Sequence, residues 1–210
     1  MGRAGAVRRI LACLLLPLLL AACGAEPKWA PQEEIQRVAY RADGPAKLTL
    51  FTVINNRSNS GAHSALMING SQRVIFDPAG TWWHHSIPER NDVHYGITPR
   101  VLEFYVDYHA RESYRVVMQE IVVSPEVAEM ALREVQAYGA VPKAFCARST
   151  STILSRLPGF GSIRPTFYPK NLRRQFARIP GVKERVIYDY DDDDHSALLT
   201  AQNKQPAIAN

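Results

Sequence analysis

The stretch Ala62-His63-Ser64-Ala65-Leu66-Met67-Ile68-Asn69-Gly70-Ser71-Gln72-Arg73-Val74-Ile75-Phe76-Asp77-Pro78 decides the fold. Two runs rich in apolar and branched residues flank the turn residues Asn69-Gly70-Ser71, the pattern of an antiparallel hairpin. Its register carries a functional question, because side chains alternate between the two faces of a sheet. A three-residue loop, Asn69–Ser71, pairs Ile68 with Gln72 and sets His63 opposite Asp77 on one face. A two-residue loop separates them. We expect the three-residue loop, since it unites an imidazole with a carboxylate.

Outward from the hairpin the periodicities change. Upstream, Lys47–Asn55 is a short run of branched and aromatic residues that predicts a buried strand, followed by a loop over Asn55–Gly61. Downstream, Thr98-Pro99 supplies a helix cap and a proline suited to the first turn, with Val101, Phe104, Tyr105 and Tyr108 on one face as far as Ala110. Tyr114–Val123 predicts another strand. Ser124-Pro125 then opens a helix with Val127, Met130, Ala131, Val135 and Tyr138 on one side, closed by Gly139. Beyond Pro142, the residues Cys146, Thr150, Ile153, Leu154 and Leu157 form a single helical stripe that stops at Pro158-Gly159. Cys146 therefore falls in a first turn. Phe160–Pro169 predicts a loop, Asn171–Ile179 a short basic helix with Arg173, Arg174 and Arg178, and Val182–Tyr190 an edge strand. The expected class is α+β, a small antiparallel sheet packed against a few helices.

The chain has 210 residues, 46% hydrophobic and 21% charged, the profile of one globular domain with appendages. Arg3, Arg8 and Arg9 precede an apolar run from Ile10 to Leu20 that ends in Leu20-Ala21-Ala22-Cys23-Gly24. That run is a secretory signal, too short to span a bilayer. Small residues before a cysteine resemble the bacterial lipobox, in which the cysteine is lipidated and becomes the new N-terminus. The resemblance implies a lipoprotein of the bacterial cell envelope, membrane-anchored through Cys23 and facing the periplasm. The expected organisation is a signal over 1–22, a tether over 23–46, a folded domain over 47–188 and an acidic, disordered tail over 189–210. Removing the signal leaves 22 basic against 20 acidic residues. Such a balance argues against a nucleic-acid partner, which needs a basic stripe in the domain itself.

Cysteine usage sharpens the functional question. Cys13 leaves with the signal, Cys23 carries lipid, and Cys146 stays behind without a partner in an exported protein. A first-turn thiol meets the positive end of the helix and can titrate below its free value of about 8.5. The alternative is a small buried hydrophobe. In Gly80–Pro88, the residues Trp82, Trp83, His84 and His85 are candidates to line a substrate groove. No metal site is expected there, because no further carboxylate or cysteine completes a set with the adjacent histidines. Asp189 and Asp191–Asp194 lack the glycine and spacing of a calcium loop, and no cofactor is expected.

A strand bearing His63, a strand ending in Asp77, a strand-helix unit and a Phe-Cys pair opening a helix follow one another in this order. From Lys47 to Phe176 that order resembles the circularly permuted branch of the NlpC-like papain-fold superfamily of cysteine peptidases and amidases, cousins of the lecithin retinol acyltransferase group. The resemblance implies a papain-like core in permuted order, with Cys146 as nucleophile and His63 as general base. It implies Asp77 as the group orienting the imidazole, where the family often has histidine or glutamate. Chemistry alone makes the same set sensible. A thiol at a helix N-terminus is activated by an imidazole that a carboxylate holds in the useful tautomer. The expected function is an exported, lipid-anchored cysteine hydrolase cleaving an amide or thioester, in cell-wall peptide. The alternatives are a lipid acyltransferase or deacylase, which Trp82, Trp83 and the anchor would suit, and a non-catalytic binding lipoprotein of the same fold.

Overall fold

A computed structural model of the protein describes residues 24–203. The signal segment and Cys23 lie outside the described residues, so the expectations of secretion and lipidation fall there. The elements are α1 (Gln32–Arg37), β1 (Lys47–Asn55), β2 (Gly61–Asn69), β3 (Arg73–Phe76), β4 (Glu89–Arg90), β5 (Val93–Tyr95), α2 (Pro99–His109), β6 (Tyr114–Val122), α3 (Pro125–Tyr138), α4 (Cys146–Ser155), α5 (Pro169–Phe176), β7 (Lys183–Ile187) and α6 (Ser196–Asn203). The strands form one seven-stranded antiparallel sheet in the order β4-β5-β3-β2-β1-β6-β7. The class is α+β, as expected. No helix among the described residues is long and apolar enough to cross a membrane.

β1 is buried along all but its ends, because it is central and both faces of the sheet are covered. Leu48, Leu50, Leu66 and Ile68 face a cluster completed by Ala131, Leu132 and Val135 of α3, Ile153 and Leu154 of α4, and Leu172 and Phe176 of α5. Phe51, Ala65, Met67 and Ile75 face a second cluster with Trp82 and with Val101 and Tyr105 of α2. Both long helices start where their caps dictate. The Thr98 hydroxyl accepts the Val101 N–H, the Ser124 hydroxyl accepts the Val127 N–H, and each is followed by a proline whose missing N–H costs nothing in the first turn.

The hairpin keeps an odd loop but shifts it by one residue. Asn69 pairs with Arg73 and Ile68 with Val74, so the loop is Gly70–Gln72 and the expected Ile68–Gln72 pairing is not formed. The Ser71 hydroxyl donates to the Glu129 carboxylate of α3 at 3.0 Å, which draws the turn toward that helix. Because the shift moves the pairing sum by two, His63 and Asp77 stay on one face, diagonal rather than opposite.

Two segments depart from expectation. Of the tether expected over 23–46, the described residues pack on the domain: Ile35 and Val38 are buried in the cluster under α3 and α4, Trp29 bridges to Arg90, and the Arg73 N–H donates to the Tyr40 carbonyl at 2.7 Å. The acidic tail is ordered through residue 203. Asp191 pairs with the buried Arg111 at 3.3 Å, the His195 ring stacks on Tyr108 at 4.1 Å, and Gln202 of α6 is buried. A buried guanidinium needs anions, and Asp191 of this run joins Asp107 of α2 in supplying them.

Candidate active site

Cys146 is the first residue of α4. Phe145 occupies the cap position without a side-chain acceptor, so the first-turn N–H groups of α4 have no cap to satisfy them. The turn leading in is held from outside, since the Val141 N–H donates to Asp92 Oδ2 at 2.7 Å. Ala144 takes a left-handed φ of 69° to swing the chain into the helix. On the sheet side, the β2–β3 ladder ends at the Leu66–Phe76 pair. Past that end the backbone N–H groups of Ser64 and Ala147 come near enough to the Cys146 thiol to favour its ionised form.

The His63 ring lies beside the thiol, close enough for each group to shift the other's ionisation. Its Nε2 lies 2.7 Å from Asp77 Oδ1, which leaves Nδ1 for the sulfur. Asp77 is 1% exposed, and the same Oδ1 accepts the Tyr105 hydroxyl at 2.8 Å. Gly80 makes room for this carboxylate: a Cβ there would collide with Asp77 Oδ2. The structure thus brings Cys146, His63 and Asp77 into one chain of contacts and adds Tyr105 at its far end.

Burial opposes every charge in this chain, and the partners overcome it. For Asp77 burial works upward, yet the charge and hydrogen bond of His63, helped by His109 and His94, hold the carboxyl well below the usual range. For His63 burial works downward, but Asp77 and then Cys146 push it up to about 10. Cys146 is only 7% exposed, and burial is the largest single influence on it, raising it. The His63 hydrogen bond and charge, with the Ser64 and Ala147 N–H groups, together outweigh burial and lower it. Both directions favour a thiolate facing an imidazolium, and groups this close titrate as a pair.

Around this chain lie groups that sequence reasoning missed. His109 stacks on His63 at 5.9 Å with rings 7° apart, and its Nδ1–H donates to the Tyr105 carbonyl at 2.8 Å. Burial first, and His63 among the charges, lower its pKa to about 4, so it stays neutral beside the imidazolium. Asp92 ties the loop after β3 to the loop before Cys146, accepting from the Ala79 N–H at 3.3 Å and the Val141 N–H. Burial pushes its carboxyl up to about 6 against those two donors. The ligating atoms of His63, Asp77 and His109 lie within 4.8 Å of one another, a spacing that could admit a metal ion. Such an ion would have to displace the His63–Asp77 bond and compete with the Tyr105 hydroxyl.

The aromatic loop is not one groove. Trp82 is a core residue, 2% exposed, edge-on to Tyr105 at 5.2 Å and to His94 at 4.8 Å. His84 is buried against the Phe104 ring, and His85 stacks on it from outside. A turn closed by the Ile87 N–H on the His84 carbonyl follows, and His84 lines a separate pocket with Arg100, Val101 and Phe104. Trp83 is exposed, and with the edge of Trp82, Gly80, Val141 and Lys143 it lines a cleft of about 420 Å³ that also reaches Gly24. Comparison with known protein families, with curated proteins and with solved structures finds nothing that matches this chain.

Proposed function

We propose that this protein is a cysteine hydrolase in which Cys146 is the nucleophile, His63 the general base and Asp77 the group that orients the imidazole. The observation that carries the reading is the unbroken contact chain from the thiol through His63 to Asp77, 2.7 Å from the ring, at the N-terminus of α4. The Cys146 thiolate attacks a carbonyl carbon, and the first-turn N–H of Cys146 donates to the oxyanion that develops. The His63 imidazolium gives its proton to the leaving amine or thiol. Water, losing a proton to the now neutral His63, then attacks the acyl thioester and frees the cysteine. A chain order with His63 and Asp77 before the cysteine helix supports the permuted papain-like reading. The apolar leader and Cys23 support an exported, lipid-anchored enzyme, for which cell-wall peptide is the substrate nearest to hand.

The deciding measurement is the pH dependence of iodoacetamide alkylation beside a turnover screen of wild type and Cys146→Ala. Alkylation is expected to persist below about pH 7 and to move toward about 8.5 in His63→Ala. A thiol that stays inert until the protein unfolds would leave a binding protein, a reading that its 7% exposure favours. Acyl transfer on a lipid draws instead on Trp83, exposed in a cleft beside Gly24 where the chain leads back to its apolar run. Release of acyl from lipid, rather than peptide from peptidoglycan, would select it.

A further inference from the structure

From Val141 to Lys183 the chain carries nine lysines and arginines and not one aspartate or glutamate, although residues 24–203 as a whole are nearly balanced, 21 basic against 20 acidic. This stretch includes α4, which the thiol begins, and α5, which packs against it. Arg156 is paired with Glu134 and Arg173 with Glu184. Lys143, Arg148, Arg164 and Lys170 have no carboxylate partner among the described residues.

Exposed aromatic rings stand among these cations. Phe145 is 42% exposed, Phe167 49% and Tyr168 72%. Phe145 and Phe167 meet edge to face at 5.1 Å, and the Arg148 guanidinium lies over Phe167 at 5.6 Å. Phe145 directly precedes Cys146. The Asn55–Gly61 loop, which leads into His63 and carries Arg57, is joined to the same surface through Lys170, whose Nζ donates to the Asn59 carbonyl at 2.6 Å. Three loops around the thiol–imidazole pair thus present positive charge and apolar rings together.

Cations alone would suit any anion, but phenyl rings left in water beside them gain only where an apolar phase adjoins the negative charge. That is the composition of a bilayer interface with anionic headgroups. The path of the chain points the same way. Gly24 shares a cleft with Val141 and Lys143, and the apolar run Ile10–Leu20 ends only four residues before it. We propose that Phe145, Phe167 and Tyr168, with Lys143, Arg148, Arg164 and Lys170, form a docking surface for an anionic lipid bilayer, which holds the Cys146–His63 site against the membrane interface. The surface stands whether or not Cys146 turns over a substrate.

The test follows amide hydrogen exchange of the full chain bound to phosphatidylcholine vesicles with and without about a third phosphatidylglycerol. Exchange over 143–148 and 164–170 slows several-fold on the anionic vesicles only, while Asp191–Asp194 is unaffected. The slowing disappears in about 1 M salt, where the screening length is about 3 Å. It also disappears in the double variant Arg148→Gln, Lys170→Gln and in Phe167→Ser, and it survives in Cys146→Ala, which separates docking from catalysis. Should Phe167→Ser unfold, the charge variant decides alone. Equal exchange on neutral and anionic vesicles overturns the proposal. So does slowing by a soluble acidic peptide with none on vesicles, which would make the surface a peptide site.

Discussion

The two faces of the sheet are built on different terms. Under α3, α4 and α5 the core is hydrocarbon, with Leu48, Leu50, Leu66, Ile68, Ile153, Leu154 and Leu172 all fully buried. Under α2 the apolar residues Phe51, Trp82 and Tyr105 enclose Asp77 and His94, with His63 and His109 alongside. Apolar burial stabilises roughly in proportion to area and needs no particular partner, whereas each buried polar group costs free energy unless another group meets it. The first face can therefore hold α4 firmly in place. The second can keep an anion and a cation permanently opposed. Cys146 sits at their seam, starting a helix of the first face and meeting, past the end of β3, an imidazole of the second.

The largest effect comes from breaking the polar face. Asp77→Asn keeps the volume and removes the charge that sustains the His63 imidazolium. Turnover should fall by about 10²–10⁴-fold, as expected when an orienting carboxylate is lost. With His63 no longer held high, the thiolate loses its counter-charge, and the alkylation midpoint rises toward about 8.5. Steady-state kinetics and iodoacetamide titration check both. If Asp77→Asn retains turnover while His109→Ala abolishes it, the orienting role belongs to His109.

The hydrocarbon face should fail differently. Leu50 is fully buried in β1. Leu50→Ala should cost about 2–5 kcal/mol in urea unfolding through lost burial and the cavity left behind. The alkylation midpoint of the folded protein should not move. A midpoint that shifts with Leu50→Ala would mean that the two faces are not separable.

A smaller effect sharpens the comparison through pH. The folded pKa of His63, about 10, is raised above its unfolded value of about 6.5, so its contribution to stability is complete below about 6.5 and is lost as pH rises toward 10. The Cys146 thiol is depressed, so its contribution grows with pH until the unfolded thiol also ionises near 8.5. Below about pH 8.5, wherever the folded thiol is ionised and the unfolded one is not, the two slopes have opposite signs, which leaves wild type flatter than the His63 slope alone. Cys146→Ala removes one slope, and its unfolding free energy from urea titrations should decline as pH rises above about 6.5 by at most about 1.4 kcal/mol per unit. An equally flat variant would mean that the thiol is not ionised in the fold.

Much of this division was legible before any coordinates. β1 appears at its expected bounds, because nine residues rich in branched and aromatic side chains fit only a strand covered on both faces. α2 and α3 begin where Thr98-Pro99 and Ser124-Pro125 place them. His63 and Asp77 shared a face under any odd loop, so the error in the pairing did not separate them. What stayed hidden depends on contacts across the chain. β4 and β5 are too short for any periodicity, and their ladder needs β3 as a template. Tyr105 was visible as a residue of a buried helical face, but nothing local says that its hydroxyl ends on Asp77. α6 was obscured by the aspartates before it, whose partner Arg111 lies some eighty residues earlier.

The smallest predicted effect is the most discriminating, because it applies the same injury to each face. Thr98 and Ser124 are matched caps: each has an extended backbone, each accepts from the N–H three residues on, at 3.3 and 3.4 Å, and each precedes a proline. Removing either hydroxyl should cost about 1 kcal/mol of stability. The consequences for chemistry should differ. α3 meets the sheet through Ala128, Ala131, Leu132 and Val135, none of which touches a charge, so Ser124→Ala should leave turnover and the alkylation midpoint alone. α2 carries Val101 in its first turn, Tyr105 one turn later against Asp77, and His109 after that, stacked on His63. A frayed start in α2 loosens the hydroxyl that fixes the Asp77 carboxylate, and turnover should drop by up to about tenfold, since small misplacements of positioned groups are costly to rate. Equal losses of turnover from the two caps would show that the chemistry tracks overall stability and not the polar face.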